Sequence, residues 1–328
     1  MNYYLGIDIG ATNVKVGLLG KNLEIVYKRI MDTSGFLSRE ELIDTLVKEI
    51  TLLKRKFENK IKGVGIGLPG LINPGKGLVY KLVNIPGWKD VYLKRILEKR
   101  IKLPVFIDND VNVITLAEVT CGSAKGIKNV VCITLGTGVG GGLVIEGKLY
   151  RGTNFSAGEI GHIPLNEEGP LCNCGGKGCL ERYVGNRYII AMAVEKIKKA
   201  PLPTVIPDLV ENDFSKITPE ILSKACRRGD LMAKEIWQNI ATHIGICLAG
   251  VVNLLNPQMI VIGGGVAGAG DILFHGIKKT IRERALDLPA KTVKIVAAKL
   301  KENAGIIGAA VLAKEGLGAD KSKLKSKR

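Results

Sequence analysis

The sequence predicts an α/β protein made of two similar halves, and three observations lead to that prediction. The first thirty residues alternate apolar side chains with polar residues or glycine, as in YYLGIDIG and VKVGLL, which is the period of β-strands. A second pattern of this kind begins near Asn129. Segments with helical periodicity follow the strands in both halves. Each half therefore opens with a hairpin whose turn is rich in glycine.

The first half is predicted to hold a three-stranded antiparallel meander followed by a helix. Its turns fall at residues 10–13 and 20–22. Ser38, followed three residues later by Glu41, makes a capping box at the start of the helix. One helical face is then apolar, at Leu42, Leu46, Ile50, Leu53 and Phe57. GVGIGLP and PVFID are typical of strands and NVITLAEV of a helix, so the predicted order is βββαβαβα.

The second half repeats strand patterns in NVVCITLG, in residues 140–145 and in GKLYRG. A long helix is predicted over about residues 230–256, strands at MIVIGGG and VKIVAA, and a final helix over residues 303–314. We expect a small first domain over residues 1–117 joined by residues 303–328, whose final helix packs back on it and whose tail is disordered. Residues 118–302 are expected to form the larger second domain.

The chain is strongly basic, with a formal net charge of +17. The tail KEGLGADKSKLKSKR contributes six cations against two acids, has no apolar period and is expected to fray. Nucleic-acid binding, a solvated lysine-rich surface and attraction of a polyanionic substrate all agree with this charge. No signal peptide leads the chain, and the most apolar stretch, residues 244–255, is too short to span a membrane. We therefore expect a cytoplasmic protein whose seven cysteines are free thiols or metal ligands.

Three glycine-rich segments lie at the ends of predicted strands, over residues 8–15, 135–142 and 263–265. The first two match neither a Walker loop nor a dinucleotide fingerprint, because no GK[ST] follows and no helix opens there. Glycines let backbone N–H groups approach an anion, and Thr12 and Thr137 add hydroxyl donors. Because these loops occupy matching places in the two halves, they indicate a nucleotide in the cleft between them.

The segment CNCGGKGCLE holds Cys172, Cys174 and Cys179, and His162 lies ten residues before the first of them. Three cysteines and a histidine at this spacing are typical of a metal site. The spacing alone leaves a redox pair and a disulfide framework open as alternatives.

GIDIGAT, DNDVN, GTGVGGG, GEIGH and CNCGGKGCLE together resemble the motifs of the ROK family (repressor, open reading frame, kinase), and the resemblance covers about residues 3–314. The last two motifs are the most specific of the set. The resemblance implies the actin-like ATPase (ribonuclease H-like) fold, with two α/β domains around a central cleft. It also implies ATP-dependent phosphorylation of a hexose at its 6-hydroxyl, and NIPGW resembles the glucokinase branch, which favours glucose.

The resemblance implies that Asp110, the acid of an Asn-Asp pair, is the catalytic base, and that Asn109 holds neighbouring sugar hydroxyls. From the residues alone, an Asp or Asn before a helix is more often its N-cap, a role that Asp108 or Asn112 could then fill. The residues implied to bind sugar are Gly70, Asn84, Asn109, Asp110, Glu159, His162 and Glu181.

The implied cofactors are ATP, Mg²⁺ and a structural Zn²⁺. The resemblance assigns the zinc to a closed Cys₃His set of His162, Cys172, Cys174 and Cys179. Asp8 is implied to contact Mg²⁺, the alternative being an ordinary turn aspartate. The implied ATP-binding residues are Asp8, Gly10, Ala11, Thr12, Asn13, Lys15, Gly136, Thr137, Gly138, Gly264 and Gly265. Ala11 departs from the usual glycine and is expected to reshape the first loop slightly.

The expected partners are the hexose, ATP and a second copy in a homodimer, with no specific nucleic acid and no membrane. Alternatives within the family are a kinase for N-acetylmannosamine, N-acetylglucosamine, fructose or mannose, or one that uses polyphosphate as donor. A sugar-responsive repressor is a more distant alternative. It needs an N-terminal helix-turn-helix, for which the first strand, beginning at about residue 3, leaves no room.

Overall fold

The structure is a computed structural model that describes residues 2–10, 12–32, 36, 38–82, 87–199 and 203–325. The strands are β1 (Tyr3–Ile9), β2 (Asn13–Leu19), β3 (Ile25–Asp32), β4 (Ile61–Leu68), β5 (Leu71–Asn73), β6 (Leu78–Lys81), β7 (Lys89–Val91), β8 (Val105–Asn109), β9 (Val130–Leu135), β10 (Val139–Ile145), β11 (Lys148–Tyr150), β12 (Met259–Gly263) and β13 (Lys294–Ala297). The helices are α1 (Arg39–Lys56), α2 (Leu93–Ile101), α3 (Asp110–Cys121), α4 (Glu181–Val184), α5 (Asn186–Lys199), α6 (Ile206–Leu209), α7 (Pro219–Arg227), α8 (Leu231–Leu255), α9 (Asp271–Arg284), α10 (Asp287–Thr292) and α11 (Ala304–Lys325).

The chain divides into two compact units. The first comprises Met1–Gly126, Leu149–Ala157 and Lys299–Arg328, and the second comprises Ile127–Lys148 and Gly158–Ala298. Residues 118–126, 149–157 and 299–302, which the sequence-based boundaries assigned to the second domain, pack with the first unit. The excursion over residues 149–157 brings a segment from the middle of the chain into the first unit.

The first unit is built on a five-stranded sheet of order β3-β2-β1-β4-β8. β1, β2 and β3 pair antiparallel, which confirms the predicted meander, and β4 and β8 continue the sheet in parallel with β1. A second sheet, β5-β6-β7, was not predicted from the sequence. Its strands are three or four residues long, so they offer almost no alternation to recognise.

The two faces of the large sheet carry different side chains. Leu5, Ile7 and Ile9 of β1 point into a core shared with α1 and α2. Between them, Gly6 and Asp8 point to the other face, against α11. The same alternation runs through β4, where the aliphatic residues face the first core and the glycines face α11 and α3. The glycine-rich appearance of these strands therefore marks one face of the sheet.

The glycines on that face allow helix backbone to lie directly on strand backbone. A Cβ at Gly6 would lie 1.9 Å from the carbonyl oxygen of Ile306, and one at Gly65 would lie 1.8 Å from that of Ala309. Within the same layer, a Cβ at Gly308 would lie 1.7 Å from the carbonyl oxygen of Val113 in α3. Since backbone atoms cannot rotate away as a side chain can, no residue larger than glycine fits at these positions.

Two helices of the first unit test the sequence-based boundaries. The Ser38 hydroxyl accepts from the Glu41 N–H at 3.2 Å, and the predicted apolar face of α1 is buried, so this helix is confirmed. The final helix was predicted to end at Lys314 with a frayed tail, and that prediction was wrong, because α11 continues to Lys325. Ala, Leu and Lys are strong helix formers, and extending an existing helix needs no new nucleus.

The second unit is built on β10, β9, β12 and β13 of a sheet of order β11-β10-β9-β12-β13, whose edge strand β11 begins at Lys148, the last residue of that segment of the unit. In this sheet β9 and β10 form the predicted glycine-rich hairpin. Its longest helix is α8, whose side chains include the fully buried Trp237. By length and composition α8 could cross a membrane, but half of its most apolar window is buried within the fold. The core helix of a globular domain meets the same criterion, so this is weak evidence for a span.

Gly308→Ala tests the close contact of α11. We expect the free energy of unfolding to fall by about 3 kcal/mol, because the added methyl meets the Val113 carbonyl and the helices must separate. Gly318→Ala in the same helix is the control, since a Cβ there meets nothing within 4 Å, and it should raise stability by up to about 1 kcal/mol. Urea denaturation measures both. Equal stability of the two variants would show that the contact does not form.

Candidate functional site

The Asp108–Asn109–Asp110 turn lies where β8 ends and α3 begins. The Asn109 side-chain oxygen accepts from the backbone N–H groups of Val111 at 2.9 Å and Asn112 at 3.2 Å, so Asn109 is the N-cap. The expectation that Asp108 or Asn112 caps this helix was wrong, because it is Asn109 whose side chain reaches both amides. The Asn109 amide group also donates to the carbonyl oxygen of Gly70 at 3.2 Å.

Asp108 is the buried residue of this turn, with only 1% of its surface exposed. One carboxylate oxygen accepts from the Asn109 N–H at 2.8 Å and from the Asn112 amide at 3.0 Å. The other accepts from Nε and Nη2 of Arg151 at 2.8 and 2.5 Å. No local sequence pattern predicts this role of Arg151, because the two partners are far apart in the chain.

Asp110 is the first residue of α3 and is partly buried. One of its oxygens accepts from the Val111 N–H at 2.9 Å. Because Asn109 already caps the helix, the Asp110 carboxylate is not required for that purpose. A carboxylate placed here is near the positive end of the helix dipole and can accept a proton from a hydroxyl group.

The first glycine loop is a tight turn between β1 and β2. The Gly10 N–H donates to the Asn13 carbonyl oxygen at 2.8 Å, and the Asn13 amide donates to the exposed Thr12 hydroxyl at 3.1 Å. Ala11 lies outside the described residues. The turn therefore presents polar groups of Thr12 and Asn13 at the end of the sheet.

Asp8 precedes this turn and lies against the first turn of α11, where a Cβ at Gly305 would come within 2.2 Å of its carboxylate. Burial raises the pKa of the Asp8 carboxyl above its ordinary value, and the nearby Lys15 ammonium opposes that shift. Lys15, the cross-strand partner of Asp8, donates to the Glu302 carbonyl oxygen at 3.3 Å. A divalent cation beside Asp8 would favour the ionised carboxylate.

The second glycine loop joins β9 to β10, and two other segments are packed onto it. The Gly136 N–H donates to the Gly138 carbonyl oxygen at 3.0 Å. Gly264 has a φ of +88°, and a Cβ there would lie 2.1 Å from the Leu135 carbonyl oxygen, so the third glycine run contacts the end of β9. Glu181 accepts from the Val139 N–H at 2.9 Å through Oε2. The structure thus brings Glu181 to the loop rather than leaving it on the surface.

The histidine and cysteines converge because short backbone contacts fold their segments together. His162 ends a 3₁₀ turn, Ile160–His162, and its N–H donates to the Glu159 carbonyl oxygen at 3.0 Å. A β-bridge pairs Pro164 with Cys179. The Cys174 and Cys179 sulfur atoms are 3.6 Å apart, and the Cys172 sulfur is 3.7 Å from His162 Nδ1. All four ligand atoms lie within 4.8 Å of one another.

These distances fit a tetrahedral metal ion. Zinc bonds of about 2.3 Å to sulfur and 2.0 Å to nitrogen place neighbouring ligand atoms roughly 3.5–3.8 Å apart. All seven cysteines are free, so the disulfide alternative is wrong. Burial, with the sulfur atoms of Cys174 and Cys172 close by, raises the pKa of the Cys179 thiol to about 12. A thiolate at this position therefore needs a cation beside it, and the cluster could hold a zinc ion.

The predicted site residues are divided between the two units. The first unit contains Asp8, Gly10, Thr12, Asn13, Lys15, Gly70, Asn109 and Asp110. The second contains Gly136, Thr137, Gly138, Glu159, His162, Cys172, Cys174, Cys179, Glu181, Gly264 and Gly265. Asn84 lies outside the described residues, as does Ala11.

Comparison with known proteins decides the family. The model of the ROK family matches residues 4–316. The chain belongs to the ROK family. Its fold is accordingly the actin-like ATPase fold, as the motifs implied, and solved ROK structures superpose on it along nearly its whole length.

The relatives of this ROK protein include both enzymes and regulators. It is 38% identical to the glucokinase of Halalkalibacterium halodurans over 95% of both chains. A ROK glucokinase from Streptomyces griseus, solved with glucose and AMPPNP, superposes with a TM-score of 0.82 at 30% identity, over 96% of this chain and all of that one. A ROK transcriptional regulator homologous to the Escherichia coli Mlc protein superposes with a TM-score of 0.87 at 28% identity, over 94% of this chain and 77% of its own.

Arg151→Gln tests whether the buried ion pair supports the turn. We expect the free energy of unfolding to fall by about 3 kcal/mol, because the Asp108 carboxylate loses its counter-charge. Arg151→Lys should cost less, since it keeps the charge but loses the paired donors. Urea denaturation measures both, with Arg95→Gln, an exposed change on α2, as the control. If Arg151→Gln lowers the free energy of unfolding by the same amount in an Asp108→Asn background, the ion pair is not the source of the stability.

Proposed function

We propose that this ROK protein is a sugar kinase that transfers the terminal phosphoryl group of ATP to the 6-hydroxyl of glucose. The observation that carries the proposal is the full-length similarity to glucokinases, and the Asp110 carboxylate at the start of α3 supports it. Asp110 is the first residue of α3, directly after β8, and its carboxylate accepts from the Val111 N–H.

In the proposed reaction Asp110 is the general base. Its carboxylate accepts the proton of the sugar 6-hydroxyl as that oxygen bonds to the γ-phosphorus of ATP, while the bond from γ-phosphorus to the bridging oxygen breaks and ADP leaves. Such transfers depend mainly on alignment and on neutralisation of charge, and the base contributes a further part of the rate. Asn109 and the Asp108–Arg151 pair hold the backbone from which Asp110 projects.

The nucleotide phosphates are assigned to the glycine loops of both units. Backbone N–H groups and the Thr12 and Thr137 hydroxyls are the donors suited to phosphate oxygens. Asp8 would hold Mg²⁺, which neutralises charge on the phosphates when bound. The position of Lys15, bonded to the Glu302 carbonyl and paired in register with Asp8, fits a role in holding the Asp8 carboxylate as much as a direct phosphate contact.

The sugar is assigned to the residues that the motifs implied, which are Gly70, Asn84, Asn109, Asp110, Glu159, His162 and Glu181. Hydrogen-bond capacity supports Glu181 and Asn109 in this role. Glu181 uses Oε2 for the Val139 N–H, which leaves Oε1 for a sugar hydroxyl. Asn109 donates one amide hydrogen to Gly70, which leaves the second for the sugar. Polar groups that hydrogen-bond each hydroxyl discriminate strongly between hydroxyl arrangements.

A zinc ion held by His162, Cys172, Cys174 and Cys179 would have a structural role, because four protein ligands leave no open position for water. His162 faces Cys172 through Nδ1, so its Nε2 can donate to a sugar hydroxyl. Glu159 precedes the His162 turn and Glu181 follows Cys179 closely, so the metal would fix both carboxylates.

The proposal is tested by turnover with ATP, Mg²⁺ and a panel of sugars. We expect the highest kcat/KM for glucose, with N-acetylmannosamine, N-acetylglucosamine, fructose and mannose as competitors. Polyphosphate in place of ATP tests the donor. A higher kcat/KM with another sugar or donor would change the proposed substrate or donor. Absence of ADP formation with every hexose tested would refute the proposed kinase activity.

Asp110→Asn isolates the base. The amide keeps the shape of the carboxylate but cannot accept the proton, so we expect kcat for glucose to fall by about 10²–10⁴-fold with little change in glucose affinity. Asp44→Asn, on the exposed surface of α1 where the carboxylate pairs with Arg100, is the matched control and should keep full activity. Retention of kcat in Asp110→Asn would assign the proton to another group.

Metal analysis of the purified active protein should find about one zinc per chain. Cys174→Ala should lose it and weaken glucose affinity more than ADP affinity, because the cluster positions Glu159 and Glu181. Cys226→Ala removes a half-buried cysteine of α7 outside the cluster and should keep both the zinc and the glucose affinity. Active protein without zinc would leave the cysteine segment as an ordinary glycine-rich turn.

A further inference from the structure

Two arginines and a tyrosine form a cluster that neither the motifs nor the proposed reaction accounts for. Nη1 of Arg182 and Nη2 of Arg187 both donate to the hydroxyl oxygen of Tyr188. Their guanidinium groups lie 4.1 and 4.4 Å from the centre of the Tyr188 ring. Because both donors reach one oxygen, the two positive charges are held close together. We call these three residues the arginine cluster.

Within the described part of the chain, the charges of the arginine cluster have no acidic counterpart. Among the residues that the structure describes, no carboxylate forms an ion pair with Arg182 or Arg187. Nε of Arg182 is buried and has no hydrogen-bond partner. Attraction to the face of one ring stabilises each cation but does not neutralise it. Two unneutralised like charges at this separation repel each other.

The position of the arginine cluster in the chain adds to that repulsion. Arg187 and Tyr188 are in the first turn of α5, a helix of 14 residues with no acidic residue in that turn. The N-terminal end of a helix carries partial positive charge, which favours anions and disfavours cations. An arginine at this place is therefore the opposite of what helix stability alone would select. A bound anion would reverse the sign of both effects.

The arginine cluster is joined to the second glycine loop by backbone contacts. The Asn186 N–H donates to the Gly136 carbonyl oxygen at 2.8 Å. A Cβ at Gly185 would lie 3.2 Å from the Thr137 carbonyl oxygen, so the chain passes close over the loop just before Arg187. An anion held by the arginines would therefore lie near a loop whose own amides suit phosphate.

We infer that Arg182 and Arg187 form a binding site for a phosphate group beside the second glycine loop. Guanidinium groups present paired donors that match phosphate oxygens, and a dianion would neutralise both cations and the helix terminus at once. The phosphate could belong to a nucleotide or to an inorganic polyphosphate chain, and the binding experiment distinguishes the two. The site extends beyond the groups assigned to the transfer reaction itself.

The test is isothermal titration calorimetry of the full chain without sugar, with ADP, adenosine and inorganic tripolyphosphate as probes. We expect Arg182→Gln and Arg187→Gln each to weaken binding of a phosphate-bearing probe by about tenfold or more, with adenosine affinity unchanged. Arg282→Gln is the matched control, because it removes the same charge from an exposed site on α9 of the same unit. It should change no affinity by more than about twofold.

The pattern across probes identifies the source of the phosphate. Loss confined to ADP assigns the site to the nucleotide, and loss confined to tripolyphosphate assigns it to a polyphosphate chain. Unchanged binding in both arginine variants, or an equal loss in Arg282→Gln, would overturn the inference. If a glutamine variant fails to fold, Arg182→Lys and Arg187→Lys keep the charge but lose the paired donors, and an intermediate loss is then expected.

The outcome is independent of the kinase assay, because the titrations need neither sugar nor turnover. Phosphate binding that depends on both arginines, in a chain that phosphorylates no hexose, would keep this inference and remove the proposed function. Turnover of glucose by the chain, with unchanged probe affinities in both arginine variants, would keep the proposed function and remove this inference.

Discussion

The contact of α11 with the glycine face of the first sheet is the constraint on which the first unit depends. The carbonyl oxygens of Ile306 and Ala309 occupy the space that a side chain would take at Gly6 and Gly65. This closeness brings Gly305 against the Asp8 carboxylate, and α11 also meets α3, whose first residue is Asp110. The end of the chain therefore supports both acidic residues assigned to the reaction, although it contributes neither of them.

In the second unit, side chains and backbone also pack closely around the second glycine loop. Gly264 lets the end of β12 touch Leu135, and Glu181 fills the space beside Gly138 while accepting from Val139. Glu181 is also two residues from Cys179. The cysteine cluster and the second glycine loop are thus connected through one carboxylate, so a metal that orders the cluster would also order the loop.

The parts of this molecule that sequence predicts are those governed by local periodicity. The apolar face of α1, its Ser38 cap and the alternation of β1 follow from neighbours a few residues apart. The cap was misjudged because Asp108, Asn109 and Asn112 are all polar residues near the start of α3, and only the backbone path decides which side chain reaches the amides. Arg151 lies beyond any local window, since its partner Asp108 is supplied by the fold. The arginine cluster was not predicted for another reason. In the sequence its members resemble ordinary surface residues, and only the structure shows that no acidic residue among those described pairs with the two arginines.

Backbone similarity does not separate the two activities found among the relatives. A ROK regulator superposes with a TM-score of 0.87 and a ROK glucokinase with 0.82, so the same fold accommodates both. The decision rests on side chains that binding alone does not require. A sensor needs donors and acceptors for the sugar, which Asn109 and Glu181 could supply. A kinase also needs a carboxylate at the hydroxyl and a place for phosphate charge. In the roles proposed for them, Asp110 at the start of α3 and the arginine cluster beside the second glycine loop would meet those two further needs, and both would favour the enzyme.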